Sequence, residues 1–183
     1  MTGEPATVPT ALALVRDFVN TSDRDEGTDE LETRAGFSAW LTSAELLPVG
    51  EPARAGEAEL ELARRLRTGL RRALELNHDG VSEPVPELQE ALAELPVTLT
   101  WDGAAPVLTT PATGAVGGLA RVALAAHEAV TSGEWARLKV CAFDECEWAY
   151  VDQSKNRSRA YCEYGCGNKI KTRAYRARQR AAR

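Results

Sequence analysis

Apolar side chains recur every three or four positions through much of the first 130 residues, which is the spacing of amphipathic helices. The longest such segment runs from Glu57 to Leu76, where four leucines stack on one face and five arginines fall elsewhere. Three shorter segments show the same period: Leu12 to Val19, Phe37 to Leu47 and Leu88 to Leu95. The pattern predicts a helical amino-terminal domain.

Alternation of apolar and polar residues marks two further segments as strands. Val97 to Trp101 and Val107 to Thr110 flank an Asp102-Gly103 turn, which predicts a small β-hairpin. The glycines between Gly114 and Gly118 predict a break before a last helix that contains Leu119 to Val130. Residues 131–133 are the expected boundary. We therefore predict a mainly α (α+β) chain with domains at residues 1–133 and 137–183.

All four cysteines lie in the second predicted domain, as two close pairs with the spacing Cys141-x4-Cys146-x15-Cys162-x3-Cys166. Two such pairs on tight turns aim four thiolates at one metal ion, so the spacing predicts one structural Zn²⁺. Apparent strands on either side of the first pair predict a hairpin and a small treble-clef-like module. Four thiolates leave no coordination position for a substrate.

Two alternatives to the metal site stay open from the sequence, namely two disulfides and four unrelated buried thiols. Met1 to Asn20 contains no basic segment followed by an uninterrupted apolar core, so no secretory signal is recognised. No apolar run approaches the about 20 residues that cross a bilayer. We therefore expect a cytoplasmic protein with no membrane partner, in a compartment where paired cysteines bind metal more often than they form bridges.

Charge is distributed unequally, although the formal net charge is only −5. Residues 1–150 carry 12 Lys and Arg against 25 Asp and Glu, whereas residues 151–183 carry 10 against 2. The second part is too short to build a sufficient core alone, and structural zinc would contribute about 10 to 16 kcal/mol. Serine at Cys146 or Cys166 is accordingly expected to unfold residues 137–183.

After Cys166 the chain carries seven cations and no acid, with helical periodicity. On a helix, one row of cations lies beside an apolar stripe that is expected to pack on the zinc hairpin. The row contains Lys169, Arg173, Arg176, Arg180 and Arg183, and the stripe contains Ile170, Ala174, Ala177 and Ala181. Asn168 is expected to cap this helix.

A basic helix of this kind suits a polyanion such as DNA. Three side chains are expected to reach base edges: Asn168, Arg173 and Arg176. Lys171, Arg178 and Arg180 are expected to contact phosphates, and Lys169 completes the candidate set. Two alternatives stay open. Some cations, among them Arg157, Arg159 and Lys169, would only neutralise the zinc thiolates, or the helix would dock on an acidic partner or on the chain's own acidic domain.

Four motifs occur together: Asp17-Phe18-Val19-Asn20-Thr21, Trp40-Leu41, the Leu66 to Leu74 helix and Cys162-x3-Cys166-Gly167-Asn168-Lys169. In this combination the chain resembles the bacterial ABATE-domain proteins that end in a CGNR zinc finger. Lys169 stands where the family usually has arginine, and Tyr161 where tryptophan is common. The resemblance covers nearly the whole chain and implies a stress-induced transcription regulator that binds DNA through its zinc module.

No catalytic constellation is recognised, so the chain is expected not to be an enzyme. The two histidines, His78 and His127, have no Ser or Cys partner implied by the sequence. A small-molecule effector pocket in the amino-terminal domain is one hypothesis, and a homodimer through that domain is another. The pocket hypothesis rests on Asp17, Asn20, Trp40 and Trp101. Its alternative is that the two polar residues bond backbone groups at a helix end while the tryptophans fill the core.

Overall fold

The computed structural model describes residues 10–47 and 55–181, and Arg183 of the predicted cationic row lies outside these ranges. The described helices are α1 Thr10–Val19, α2 Arg34–Ser43, α3 Glu57–Asp79, α4 Pro86–Ala93, α5 Gly114–Thr131 and α6 Cys166–Ala181, with a 3-10 turn at Trp135–Arg137. The strands are β1 Ser22–Asp23, β2 Thr28–Asp29, β3 Thr98–Trp101, β4 Pro106–Thr109, β5 Leu138–Val140 and β6 Ala149–Val151. They pair as three antiparallel hairpins. The predicted mainly helical α+β fold is confirmed.

Helix α3 is the central element, because its leucine face is buried and contacts α1, α2, α4 and α5. It ends at Gly80, whose φ of 69° is the left-handed conformation that glycine adopts without strain. The helix extends three residues past the predicted end at Leu76. In this last turn, Asn77 Nδ2 donates to the carbonyls of Trp135 at 2.9 Å and Leu138 at 3.1 Å. The extra turn therefore fixes the start of β5.

The glycines between Gly114 and Gly118 were predicted to form a break before α5, but the helix includes them. Gly117 and Gly118 lie inside the helix, which already begins at Gly114. A Cβ at Gly117 would lie 2.4 Å from the carbonyl oxygen of Ala112, and one at Gly118 would lie 2.6 Å from a methyl group of Leu41. These residues are glycines because neighbouring atoms approach the helix closely, so the prediction of a break was wrong.

The predicted hairpin forms as β3 and β4, but the tryptophans divide between core and surface. Trp40 is buried against Phe18, with ring centroids 5.1 Å apart, whereas Trp101 is 68% exposed on β3. Asp17 is an exposed residue that accepts a hydrogen bond from Arg16 at 2.7 Å. The pocket predicted from Asp17, Asn20 and the two tryptophans is therefore not formed.

Strands β5 and β6 share their core with the helices. Leu138, Val140 and Ala149 are buried in the same apolar cluster as the leucines of α3. A second cluster lies beyond them and contains the four cysteines, with Phe143, Trp148, Tyr150, Tyr161 and Ile170. The β5–β6 hairpin, which we call the zinc hairpin, thus has one side in the main core and the other in the cysteine cluster. The division at residues 131–133 stays a prediction.

Candidate metal centre and basic helix

The four cysteine sulfurs converge on one point. One Sγ from each of Cys141, Cys146, Cys162 and Cys166 lies within 4.8 Å of all the others. The Cys146–Cys162 and Cys162–Cys166 sulfur distances are 3.7 and 3.6 Å. A tetrahedral site with Zn–S bonds of about 2.3 Å places its sulfurs about 3.8 Å apart. The donor set and spacing fit zinc, and all four cysteines are free rather than joined in disulfides.

The first cysteine pair sits in the predicted hairpin. Cys141 directly follows β5, and its amide donates to the Trp148 carbonyl at 2.9 Å, which continues the strand pairing. The Cys146 amide donates to the Phe143 carbonyl at 2.8 Å, and Glu147 turns the chain back with a φ of 51°. This tight turn aims both sulfurs to the same side.

The second pair lies at the start of α6. Cys166 is the first helical residue, and it follows Gly165, whose φ is 77°. The amides of Asn168 and Lys169 donate to the Gly165 carbonyl at 2.9 and 3.1 Å. Asn168 is therefore the third residue of the helix and not its cap. The predicted capping role was wrong because the helix begins two residues earlier.

A buried ion pair shapes the loop that delivers Cys162. Lys139 Nζ lies 2.9 Å from Asp152 Oδ2, and these residues are 5% and 0% exposed. The amides of Ser154 and Arg159 each donate to the Asp152 carboxylate at 2.9 Å. Burial opposes ionisation, but the bonds from Ser154, Lys139 and Arg159 lower the pKa of Asp152 to about 2. This ion pair was not predicted from the sequence, although Asp152-x-Ser154 is a local turn signal.

Burial favours the protonated form of two of the four free thiols. It raises the pKa of Cys146 to about 12 and also raises that of Cys162. At Cys141 burial again opposes ionisation, yet hydrogen bonds from the amides of Cys162 and Phe143 lower the pKa. One of these amides, that of Cys162, donates to Cys141 Sγ at 3.5 Å. A metal ion would therefore displace protons from the ligand set when it binds.

The helical part of the chain bonds directly to the zinc hairpin. Asn20 forms two hydrogen bonds with the backbone of Ala149 in β6. The guanidinium of Arg71, half-buried beside α1, donates to the carbonyls of Glu147 at 2.5 Å and Val19 at 2.8 Å. Burial lowers the pKa of Arg71. The sequence predicts either a pocket role for Asn20 or a bond at a helix end, and it indicates no role for Arg71, because the observed partners of both residues are distant in sequence.

The contacts at the base of α6 come from Ile170, Lys169 and Arg173, and not from the whole of the predicted apolar stripe. Ile170 packs on the cysteine cluster, but Ala174 and Ala177 are exposed, so the stripe does not pack beyond its first residue. Arg173 forms two bonds with Glu145 at 2.9 and 2.8 Å. Its guanidinium lies 4.9 Å from the centre of the Phe143 ring.

The first cation of the row, Lys169, lies 3.4 Å from Asp25 in the β1–β2 turn. The hydrogen bond with Asp25 and the charge of that carboxylate raise the pKa of Lys169. Of the cations considered for neutralising the cysteines, Arg157 instead lies 3.8 Å from Glu134, and Arg159 lies 3.5 Å from Glu163.

The remaining candidates project into solvent. Asn168 is exposed, as are four cations that form no ion pair with any residue in the described part of the chain. These cations are Lys171, Arg176, Arg178 and Arg180. The structure thus separates Lys169 and Arg173, which bond acids of the same chain, from cations that are available to another molecule.

Two family models match this chain. Residues 12–133 match the ABATE family, described as "Putative stress-induced transcription regulator", and residues 137–179 match the CGNR zinc finger. No curated protein matches the sequence. Within residues 10–47 and 55–181, no helix has the length and apolar character needed to cross a bilayer. Because the ABATE match covers more than half of the sequence and is followed by the matching finger, the chain belongs to the ABATE family and carries a CGNR zinc finger.

Proposed function

We propose that this chain is a bacterial transcription regulator that binds duplex DNA through residues 137–183. The observation that carries the proposal is a helix whose base is fixed to the four-cysteine cluster and which carries four exposed cations without an ion-pair partner among residues 10–47 and 55–181. Nucleic acids are the polyanions that such a helix suits, and the family description supports a regulatory role. A cytoplasmic location is part of the proposal and is supported by the four reduced cysteines.

In this proposal the four cysteines bind one Zn²⁺ that has a structural role. The bound ion supplies the stability that fixes Cys162 and Cys166, and with them the first turn of α6, against the hairpin. Four protein ligands complete a tetrahedral shell, so we propose no catalysis at the metal. The two histidines suggest no other catalytic site, since His127 is exposed on α5 and His78 lies in the last turn of α3.

The cations of α6 have two roles in this proposal. Lys169 and Arg173 orient the helix through Asp25 and Glu145. Lys171, Arg176, Arg178 and Arg180 contact phosphates, where each displaced counterion adds affinity that falls as salt rises.

The test measures duplex DNA binding by the zinc-loaded full chain across a salt series. The variant is Lys171→Gln with Arg178→Gln, and the matched control is Arg34→Gln with Arg72→Gln, which removes two exposed cations from α2 and α3. Loss of two phosphate contacts should reduce the slope of log K against log salt by about 1.8. The control should keep the wild-type slope. Equal slopes for both double variants, with zinc content unchanged, would remove α6 from the interface.

A second candidate function is a protein-interaction adaptor whose basic helix docks on acidic surfaces. The contact of Lys169 with Asp25, and that of Arg24 with Glu147, favour it, because both join the acidic part to the zinc module. If the chain is such an adaptor, Asp25→Asn and Glu145→Gln should increase amide hydrogen exchange in α6. The wild-type chain should then cause no gel-mobility shift of duplex DNA at low salt.

The proposal places an effector site in an apolar cavity of about 720 Å³ between α1, α5 and the β3–β4 hairpin. Leu14, Leu99 and Leu124 line it together with the polar Arg121 and His127, a combination typical of small-molecule sites. A thermal-shift screen against metabolites tests it, with Leu124→Trp as the variant that fills the cavity. A homodimer through the exposed Leu99 and Trp101 is the alternative occupant of this surface, because Leu99 also lines the cavity. Sedimentation of a monomer at micromolar concentration would rule the dimer out.

A further inference from the structure

Four uncharged, hydrogen-bonding side chains form one row along α6. At about 100° per residue they fall within an arc of about 60°. We name them the polar row: Asn168, Thr172, Tyr175 and Gln179. All four are exposed, and Gln179 Nε2 donates to Tyr175 Oη at 3.4 Å, so the last two share one face.

The polar row is directed away from the body of the protein. Ile170, which packs on the cysteine cluster, lies almost opposite to it on the helix. Gly167 faces the Tyr161 ring, where an added Cβ would lie 3.3 Å from a ring carbon. Lys169 and Arg173 face Asp25 and Glu145. The contacts at the base of α6 therefore set its rotation and turn the polar row to solvent.

Unpaired cations flank the polar row on both sides. Lys171 and Arg178 lie about 80° to one side, and Arg176 and Arg180 lie about 90° to the other. These are the same four side chains that form no ion pair in the described part of the chain. The helix thus presents a neutral centre that can donate and accept hydrogen bonds, between two positively charged borders.

This arrangement is complementary to a groove with polar base edges on its floor and phosphates along both walls. The major groove of B-DNA is about 12 Å wide and admits an α-helix. The part of α6 beyond Arg173 has eight described residues and is about 12 Å long. The major groove of duplex RNA is too narrow for side chains to read, and a flat polyanion would engage only one cationic border.

We infer that α6 enters the major groove of duplex DNA with the polar row against the base edges, and that Thr172, Tyr175 and Gln179 read sequence. This inference rests on the proposed function. Glutamine pairs through two hydrogen bonds with adenine, so Gln179 should specify an A·T pair. Arg173 does not read bases in this arrangement, because Glu145 holds its guanidinium.

The test selects bound sequences from a random duplex pool with the zinc-loaded full chain. Wild type is compared with Gln179→Ala and Thr172→Ala, and Gln89→Ala on the exposed side of α4 is the matched control. The wild type and the control should enrich one motif. Gln179→Ala should lose the preference at one A·T pair, bind the wild-type motif about 5- to 150-fold more weakly, and keep the wild-type salt slope.

The outcomes test the polar row and the proposed DNA binding, on which it rests, separately. Wild-type chain that binds no duplex DNA at any salt overturns both. Binding without sequence preference, or the same motif selected by both polar-row variants, overturns the polar row while DNA binding stands. Tighter binding to duplex RNA than to duplex DNA also overturns the major-groove arrangement.

Discussion

Asn20 completes the free edge of strand β6 by bonding both backbone groups of Ala149. Its Nδ2 donates to the Ala149 carbonyl at 2.9 Å, and the Ala149 amide donates to its Oδ1 at 2.8 Å. The other edge of β6 pairs with β5. A side chain that follows α1 therefore occupies the position of a third strand and joins the ABATE segment to the zinc hairpin.

Replacement of Asn20 by alanine should lower the free energy of unfolding by about 1 to 3 kcal/mol. The buried amide and carbonyl of Ala149 would lose their partners without access to water. Urea denaturation at fixed zinc concentration measures the change. Asn20→Asp keeps the acceptor for the Ala149 amide but places a carboxylate oxygen against the Ala149 carbonyl, so it should not restore wild-type stability. Wild-type stability in Asn20→Ala would show that the two bonds do not join the segments.

Loss of a cysteine ligand should unfold only part of the zinc module. The sequence alone predicts that Cys166→Ser unfolds residues 137–183, but Leu138, Val140 and Ala149 are buried in the main core. We expect the variant to release zinc and to lose amide protection in α6 and the loop before it. Strands β5 and β6 should stay protected. Hydrogen exchange measures this, and chelated wild type should show the same pattern. Equal exchange in β5, β6 and α6 would contradict the shared core.

Zinc binding should release protons at neutral pH. Burial raises the pKa of Cys146 to about 12 and raises that of Cys162, so these thiols are protonated at pH 7 without metal. Binding must displace those protons, and affinity should fall as pH decreases because protons compete for the sulfurs. Titration calorimetry in buffers of different ionisation enthalpy should report at least two protons released per zinc ion, one each from Cys146 and Cys162. Fewer than two would mean that the thiolates form before the metal binds.

Replacement of Asp152 by asparagine should destabilise the chain by about 3 to 5 kcal/mol, because the buried ammonium of Lys139 loses its charged partner. The lowered pKa of Asp152, about 2, means that the carboxylate stabilises the fold above about pH 4 and loses this effect as pH falls towards 2. Chemical denaturation measures the first effect. Lys139→Met with Asp152→Asn removes the unpaired ammonium and keeps an amide oxygen that can accept from the loop amides, so it should recover part of the loss. A double variant as unstable as Asp152→Asn alone would contradict the assignment.

Replacement of Gly69 by alanine should destabilise the chain by about 1 to 3 kcal/mol, although alanine favours helices. A Cβ at this position would lie 2.6 Å from Leu88 Cα, where α4 crosses α3. Thermal or urea unfolding measures the change. Thr68→Ala, at the neighbouring exposed position, is the control and should have a smaller effect. A stabilised Gly69→Ala chain would show that α4 does not pack closely here.

Elements that depend on local periodicity were predictable. The leucine repeat of α3, the Asp102-Gly103 hairpin and the turn that holds Cys141 and Cys146 each carry their signal within a few residues. Glycine was less predictable, because the same residue permits a turn at Gly80 and close packing at Gly118. The sequence does not distinguish these uses, since the second depends on the distant Leu41.

The sequence by itself determined the helical core, the four converging thiols and the concentration of positive charge after Cys166, because these follow from spacing and composition. Only the tertiary structure decided which cations of α6 are available. Glu145 and Asp25 lie 28 and 144 positions from the residues they bind, Arg173 and Lys169. The same contacts fix the rotation of the helix. Long-range ion pairs leave no periodic trace in the sequence, so the outward direction of the polar row could be recognised only after folding brought these residues together.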